Sequence, residues 1–480
     1  MAHSQVVRVY STYQDQDHEC PWQSLAPRGS TGSGVVVGPR EILTGAHVVA
    51  NATFVQVQKP SDPGKVTAAV VSVCHDADLA LLRVEEPGFT RGITAARIGE
   101  LPHLRDAVQV IGYPIGGEEV SITEGVVSRI EVQRYEHSQR HLLAVTVDAA
   151  INSGNSGGPV FARNKVVGIA IQAIPDAENI GEMVPAPIIR RFLDVARSGE
   201  AEPHVPGLGI TTQPLENPAL REWLGMKGRD SGVLITAVQY GSSAWNEIEP
   251  GDVLMSLDGM RIANNGTVQY RGRFRCQFDV VTGDHHVGDR VKARVLRKGR
   301  RLDLVLTMAP MCWLVPRIEF ERMPTWFVFG GLVFQRLTAE LLRIWGDNWW
   351  DKAPKELLNL YYSGERRPDR QEIIVLAQVL ADAVNVGYEP FVNDVVVECN
   401  GVRPADMAEF VGLVDRCPDR LVLKLSSGAS VLLPADGARA AHARILERYR
   451  LPGDRSPDLP RPPARAARSR TKRRPSARTR

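Results

Sequence analysis

The stretch Ala149-Ala150-Ile151-Asn152-Ser153-Gly154-Asn155-Ser156-Gly157-Gly158-Pro159 sets a serine among glycines just after an apolar, strand-like run. A glycine-rich turn can present that hydroxyl, because glycine adopts backbone angles that other residues resist. The turn can also aim the amides of Gly154 and Ser156 at one point beside the hydroxyl. Two such donors would hold an oxyanion, each worth about 2.7–4 kcal/mol in the transition state. A serine is a poor nucleophile until a base takes its proton. His47, in Leu43-Thr44-Gly45-Ala46-His47-Val48-Val49, is the candidate base. Asp78, heading the apolar run Asp78-Leu79-Ala80-Leu81-Leu82, is the candidate to fix its tautomer and stabilise the imidazolium. Each signal alone is weak, since a serine in a turn, a core histidine and a strand-leading aspartate are all commonplace. Three of them in this order, each in its own motif, point to acyl transfer.

The order His, Asp, Ser belongs to the chymotrypsin-type double β-barrel. Gly154-Asn155-Ser156-Gly157-Gly158 also fits the G-x-S-x-G elbow of α/β-hydrolases, but that fold needs a helix directly after the serine and its Asp and His later in the chain. Here Pro159 follows within three residues and Val166-Val167-Gly168-Ile169-Ala170-Ile171 reads as a strand, so the elbow is rejected. Short apolar runs separated by turns fill residues 6–195: Val35–Val37, Phe54–Val57, Ala68–Val71, Leu79–Leu82, Val108–Ile111, Gly125–Val127 and Leu143–Val147. That pattern predicts a barrel or sandwich. A helix closes it over Pro187–Ala196, with Ile188, Ile189, Phe192, Leu193 and Val195 on or near one face.

These motifs, with Gly32-Ser33-Gly34-Val35-Val36-Val37, resemble the HtrA/Deg family of ATP-independent serine proteases. The resemblance places base, orienter and nucleophile on His47, Asp78 and Ser156, and the oxyanion amides on Gly154, Asn155 and Ser156. It implies a serine endopeptidase that cleaves unfolded or damaged proteins through an acyl-enzyme, without cofactor or metal. With Ala150 near the floor of the P1 pocket, no acid awaits a basic side chain, so a small or aliphatic P1 residue is expected.

At 480 residues the length prior is about three domains. The hydrophobic content of 43% allows sizeable cores, and a net charge of +3 argues against a polyanion binder overall. Six scattered cysteines form no CxxC and no dense disulfide framework, which suits a reducing compartment. The N-terminus carries no basic stretch leading into an apolar one, so no secretory signal is expected. The most apolar run, Trp326–Phe334, is far short of the ~20 residues of a membrane helix. A cytoplasmic, intracellular location is expected, nuclear if the source is eukaryotic.

The protease domain is expected over residues 1–200. After the joint Glu202-Pro203-His204-Val205-Pro206-Gly207, residues 201–309 resemble a PDZ domain through Gly232-Val233-Leu234-Ile235 and Ile248-Glu249-Pro250-Gly251-Asp252-Val253-Leu254-Met255-Ser256-Leu257-Asp258-Gly259. Leu208-Gly209-Ile210 would be its carboxylate-binding loop, holding peptide termini beside an edge strand. A plain αβ domain with an ordinary Gly-Asp turn is the alternative. Residues 310–450 repeat that strand order and resemble a divergent second PDZ domain, with Leu332-Val333-Phe334 after Gly331 as binding loop. Trp313, Trp326, Trp345, Trp349 and Trp350 are read as core and inter-domain packing rather than an exposed aromatic face. The whole is mainly β: a double-barrel protease domain followed by two PDZ-like αβ domains. Gly112-Tyr113-Pro114-Ile115-Gly116-Gly117, Asp258–Val268 and Asn385-Val386-Gly387-Tyr388-Glu389 look most like the plant Deg9-type subgroup, which implies homo-oligomers, trimers or stacked trimers.

Residues 451–480 are expected to be a basic disordered tail, with ten Lys/Arg against two Asp from Gly453 onward. Weak nucleic-acid contact through this tail is one reading, a solvated tail the plainer one. Two further functional readings stand beside the protease: a latent chaperone or PDZ scaffold with a resting, misaligned triad, and a nucleic-acid-associated protein.

Overall fold

The computed structural model describes residues 2–60, 62–114, 119–151, 154–173, 180–199 and 202–461. Asn152 and Ser153 of the nucleophile motif, Ile115–Gly117 and the tail from Pro462 lie outside the described residues. The chain divides into two compact units, Met1–Pro324 with Leu337–Glu372, and Thr325–Arg336 with Ile373 onward.

Strands β1 (Val6–Tyr13), β2 (Arg28–Gly38), β3 (Glu41–Thr44), β4 (Ala52–Gln58), β5 (Lys65–Cys74) and β6 (Leu79–Val84) close into a barrel in the order β1-β2-β3-β6-β5-β4. A second barrel is made by β7 (Ala107–Gly112), β8 (Ser121–Arg134), β9 (His141–Asp148), β10 (Pro159–Ala162), β11 (Lys165–Ala173) and β12 (Ile180–Pro185), in the order β10-β11-β12-β9-β8-β7. The apolar runs read from the sequence all fall on these strands. They bury Val7, Val9, Val36, Ile42, Val57 and Leu82 in the first barrel, and Val110, Val145, Val147, Val160 and Ile169 in the second. Each such side chain contributes about 1.5–3 kcal/mol when fully buried.

Two helices matter to the site. The single turn α1 (Ala46–Val49) follows β3 and carries His47. The helix α2 (Ala186–Ser198) carries Pro187 in its first turn and is capped by left-handed Gly199, and it lays Ile188, Ile189, Phe192 and Leu193 against β5, β6, β11 and β12. It thereby clamps both barrels.

Further along the first unit come β13 (Ile210–Pro214), α3 (Pro218–Trp223), β14 (Val233–Val238), β15 (Val253–Leu257), β16 (Met260–Arg261), β17 (Thr267–Tyr270), β18 (Phe274–Gln277), β19 (Arg290–Arg297) and β20 (Arg300–Thr307). Five of these form one sheet in the order β13-β14-β15-β19-β20, with β16 paired to β15 and β17–β18 a separate hairpin. The joint before β13 is pinned to the barrels by Arg140. This buried guanidinium pairs with Asp76 at 3.0 Å and donates to the Val205 and Pro206 carbonyls.

In the second unit β21 (Trp326–Phe329) and β22 (Leu332–Arg336) make a hairpin. The helices α4 (Ala339–Leu342), α5 (Trp349–Lys352) and α6 (Lys355–Ser363) intervene and are grouped with the first unit. The chain then returns as β23 (Ile374–Val379), β24 (Val396–Cys399), α7 (Met407–Arg416), β25 (Arg420–Leu425), β26 (Ser430–Pro434) and α8 (Ala435–Tyr449). The sheets are β21-β22-β23 and β24-β25-β26. The expected second PDZ-like stretch, 310–450, is thus shared between the two units, and residues 310–324 and 337–372 belong with the first.

Two expectations change here. The aromatic cluster is only partly core: Trp326 is buried, but Trp350 is 54% exposed. The basic tail does not begin at 451. Residues 454–456 pair with β21, through Val328 N–H to the Asp454 carbonyl and Ser456 N–H to the Trp326 carbonyl, and Leu459 joins the core. Arg455, 6% exposed, bonds both oxygens of Asp415 and packs on Phe327. Composition alone hides this, because one buried arginine satisfied by two carboxylates looks like any other basic residue. All six cysteines are free, and among the described residues no helix is long and apolar enough to cross a membrane.

Candidate active site

His47, just after β3, and Asp78, just before β6, sit at the same end of the antiparallel β3–β6 pairing, in which Thr44 stands opposite Ala80. Asp78 adopts a left-handed conformation, φ +53°, just before β6, and this turns its carboxylate toward α1. Its two oxygens lie 2.7 and 2.9 Å from His47 Nδ1, and one of them also accepts the His47 backbone N–H at 2.8 Å. The ring therefore donates from Nδ1 and leaves Nε2 as the basic nitrogen. Gly45 lies against the imidazole, where a Cβ would stand 2.7 Å from Cε1, so any side chain there would push the ring aside.

Burial opposes both charges of the pair. It lowers His47, but the Asp78 charge and hydrogen bond outweigh it and raise the imidazole above its ordinary 6.5. It raises Asp78, but the His47 charge and the hydrogen bonds bring the carboxyl below 3.8. The His47 side chain keeps 27% of its surface exposed, while Asp78 keeps 4%.

Ser156 is carried on the turn that leads into β10, half-buried between buried Asn155 and Gly157. Gly154 and Gly157 have φ of +101° and +79°, the left-handed region that favours glycine. The turn is fastened from several sides. Gly157 N–H donates to the Ala170 carbonyl at 2.7 Å, and Gly158 N–H to the Asn155 carbonyl at 2.9 Å. Ser33 of β2 reaches across from the other barrel: its N–H donates to the Ser156 carbonyl at 2.9 Å and its hydroxyl to the Gly154 carbonyl at 2.8 Å. That hydroxyl in turn accepts the Tyr113 N–H, and the Ser33 carbonyl accepts the Thr44 hydroxyl. Sequence reading quoted Ser33 within a motif and gave it no role. Its partners lie 80 and 121 residues away, which no local pattern reveals. His47 Nε2 finds no hydrogen-bond partner among the described residues, the Ser156 hydroxyl included. Catalytic hydrogen bonds are often long in the free enzyme and tighten with substrate.

Comparison with known proteins now adds to this geometry. The family model of the trypsin-like peptidase domain matches residues 32–169, and that of a PDZ domain matches residues 315–458. Protease Do-like 2, chloroplastic, of Arabidopsis thaliana is 36% identical over 459 residues, covering 95% of this chain and 75% of the relative. Protease Do-like 4, mitochondrial, of the same plant is 34% identical, covering 93% and 84%. The chain belongs to the Do-like, or HtrA/Deg, family. It is a serine endopeptidase with a trypsin-like peptidase domain and a C-terminal PDZ domain. Among solved structures, HtrA-type protease AlgW with tripeptide superposes with a TM-score of 0.50 at 24% identity, covering 64% of this chain and 95% of that one. That likeness speaks for the fold alone.

The first predicted peptide-binding loop lies directly before β13, which among the described residues is paired on one side only, with β14. Leu208 is buried and its carbonyl accepts the Ala244 N–H. The Gly209 carbonyl accepts the Gln239 N–H, and a Cβ at Gly209, φ +67°, would stand 2.2 Å from Ser242 Cβ. Ile210 opens the strand. Among the described residues the Leu208 and Gly209 amides donate to no acceptor.

The second predicted loop is placed differently. Leu332, Val333 and Phe334 are fully buried in β22, with β21 on one side and β23 on the other. Gly330 and Gly331, φ +57° and +81°, form a two-residue hairpin turn, and Phe334 stacks edge-on to Phe410. This is a core strand with no open edge. The same letters that introduce a binding loop in one setting serve as a hairpin and its returning strand in another.

Proposed function

We infer that Ser156 is the nucleophile of this Do-like protease, His47 its general base and acid, and Asp78 the group that orients His47. The observation that carries the reading is the three-point clasp of Asp78 on the His47 ring and backbone, with Ser156 on a braced turn in the same unit. Ser156 Oγ attacks the scissile carbonyl carbon while its proton passes to His47 Nε2. The carbonyl electron pair moves to oxygen, and the amides of Gly154 and Ser156, beside Asn155, receive the oxyanion. Collapse breaks the C–N bond, and the proton on Nε2 goes to the leaving amine. Water, activated by the same nitrogen, then hydrolyses the ester.

Unfolded polypeptides with small or aliphatic P1 residues fit as substrates, with Ala150 near the P1 site. Ala150 is half-buried and its carbonyl accepts the Thr123 hydroxyl. Peptide termini fit the Leu208–Ile210 loop, because its two free amides beside an edge strand suit a carboxylate and a β-addition. Self-association into trimers belongs to the same reading.

The test is digestion of unfolded β-casein without ATP or metal, by the parent and by Ser156→Ala. Cleavage by the parent alone, with cuts after Val or Ala, supports the reading. Equal cleavage by both, or by neither across temperatures, overturns it.

A further inference from the structure

His47 has a neighbour that the reaction does not require. The ring of His137, in the β8–β9 loop, lies 6.2 Å from the His47 ring at 62°. His137 is stacked face to face on Phe320, 4.2 Å apart and 11° from parallel. Phe320 also stacks on His75 at 4.4 Å. His75 Nδ1 lies 2.8 Å from His137 Nε2, and His75 Nε2 lies 2.6 Å from a Glu321 oxygen. Glu321 is tied in turn to Asn51, whose N–H donates to its other oxygen at 2.9 Å and whose side-chain oxygen accepts the Glu321 N–H at 2.7 Å. Residues 320–321 thus arrive from beyond β20 and hold His75 and Asn51, in the barrel loops 246 and 270 positions earlier, with His137 beside His47.

We propose that Phe320 and His137 are positioning residues for His47: the Phe320–Glu321 strap holds the His137 ring against the base, and so sets the orientation and surroundings of the imidazole that must receive the Ser156 proton. The inference rests on the reading of His47 as that base.

The proton arrangement supports it. A carboxylate only accepts, so His75 donates to Glu321 from Nε2, and its Nδ1 pairs with His137 Nε2 at 2.8 Å. His137 faces His47, Asp78, His75 and Glu321, and its burial pushes it down to about 4. It therefore stays uncharged at the pH where His47 works, and an uncharged ring does not repel the imidazolium formed during catalysis. Phe320 covers its face. Without that cover water reaches His137, which then titrates beside His47 and competes for Asp78.

The experiment is the pH profile of kcat and KM on a peptide substrate for the parent, Phe320→Ala, Phe320→Leu and Phe320→Tyr, with Ser156→Ala as blank and melting temperatures as the check on folding. Phe320→Ala is expected to lower kcat about tenfold with KM within about twofold. It also changes the acid limb of kcat/KM from one-proton to two-proton form. Phe320→Tyr, which keeps the flat ring, restores the parent profile. Should Phe320→Ala fail to fold, Phe320→Leu carries the test with the same expectations. A folded variant with unchanged kcat and acid limb, or a failure of Phe320→Tyr to restore them, overturns the proposal while leaving the protease reading intact. A parent no more active than Ser156→Ala overturns both.

Discussion

Asp78 shows how much one side chain does here. Its left-handed backbone is unusual for a non-glycine residue, but Asp and Asn tolerate it. Asp78→Asn should therefore fold normally. Its amide can still touch His47 Nδ1 but favours the wrong tautomer, and kcat should drop about 10⁴-fold with the melting temperature preserved. The pKa of His47 gives a second prediction. Because Asp78 raises it above 6.5, the acid limb of kcat/KM should lie above that value, activity falling as pH drops and Nε2 is occupied by a proton. Linkage gives the sign for stability. The His47 contribution is fully present below its unfolded value of 6.5 and is lost as pH climbs through the raised folded value. The Asp78 contribution is present above 3.8 and is lost as pH falls through the depressed one. Guanidinium melts of Ser156→Ala across pH measure both without self-digestion. The three residues proposed here stand out in the sequence because the chemistry fixes their types and their order, and the structure brings His47 and Asp78 into contact. The bracing by Ser33 and the strap of Phe320 and Glu321 were not legible there, because they depend on contacts 80 to 270 residues apart.

At the scale of elements, the turn before β10 ties the packing of both barrels to the proposed nucleophile. A methyl group at Gly157 would stand 2.4 Å from the Thr44 hydroxyl and 2.5 Å from the Ser33 carbonyl, in a backbone conformation that L-residues resist. Gly157→Ala should cost about 1–3 kcal/mol from overpacking, with further loss from the left-handed backbone. Denaturant titration gives the cost, and activity should fall more than stability, since the shift displaces Ser156 itself. The barrel strands were readable from short apolar runs separated by turns, although some of their residues, such as Phe54 and Val70, face outward. The hairpin at Gly330–Gly331 was not, because Leu332-Val333-Phe334 is apolar whether it lines a groove or fills a core. Only its pairing on both sides separates the two.

The chain comprises one unit with a two-barrel peptidase and a sheet domain, and a second unit whose C-terminal segment, residues 454–456, pairs with β21. Arg455 is the fastening there. Its removal leaves Asp415 and Asp454 facing each other across a lost guanidinium, and Arg455→Ala should destabilise the second unit by about 3 kcal/mol. Calorimetry should show this unit melting earlier while the β-casein activity of the first persists. Charge composition suggested that the chain is unstructured from residue 451; in fact it folds through Leu459, since Asp415 on α7 and the adjacent Asp454 make a place for one arginine.

The central claim is that one serine does the chemistry, activated by His47 and Asp78. The most direct measurement is to treat the native protein with a fluorophosphonate, which reacts only with an activated serine, and to map the adduct by peptide mass spectrometry. A single adduct on Ser156 is expected, abolished by His47→Ala and slowed by Asp78→Asn. An adduct on another serine, or equal labelling of Ser156 in the His47→Ala protein, would contradict that claim.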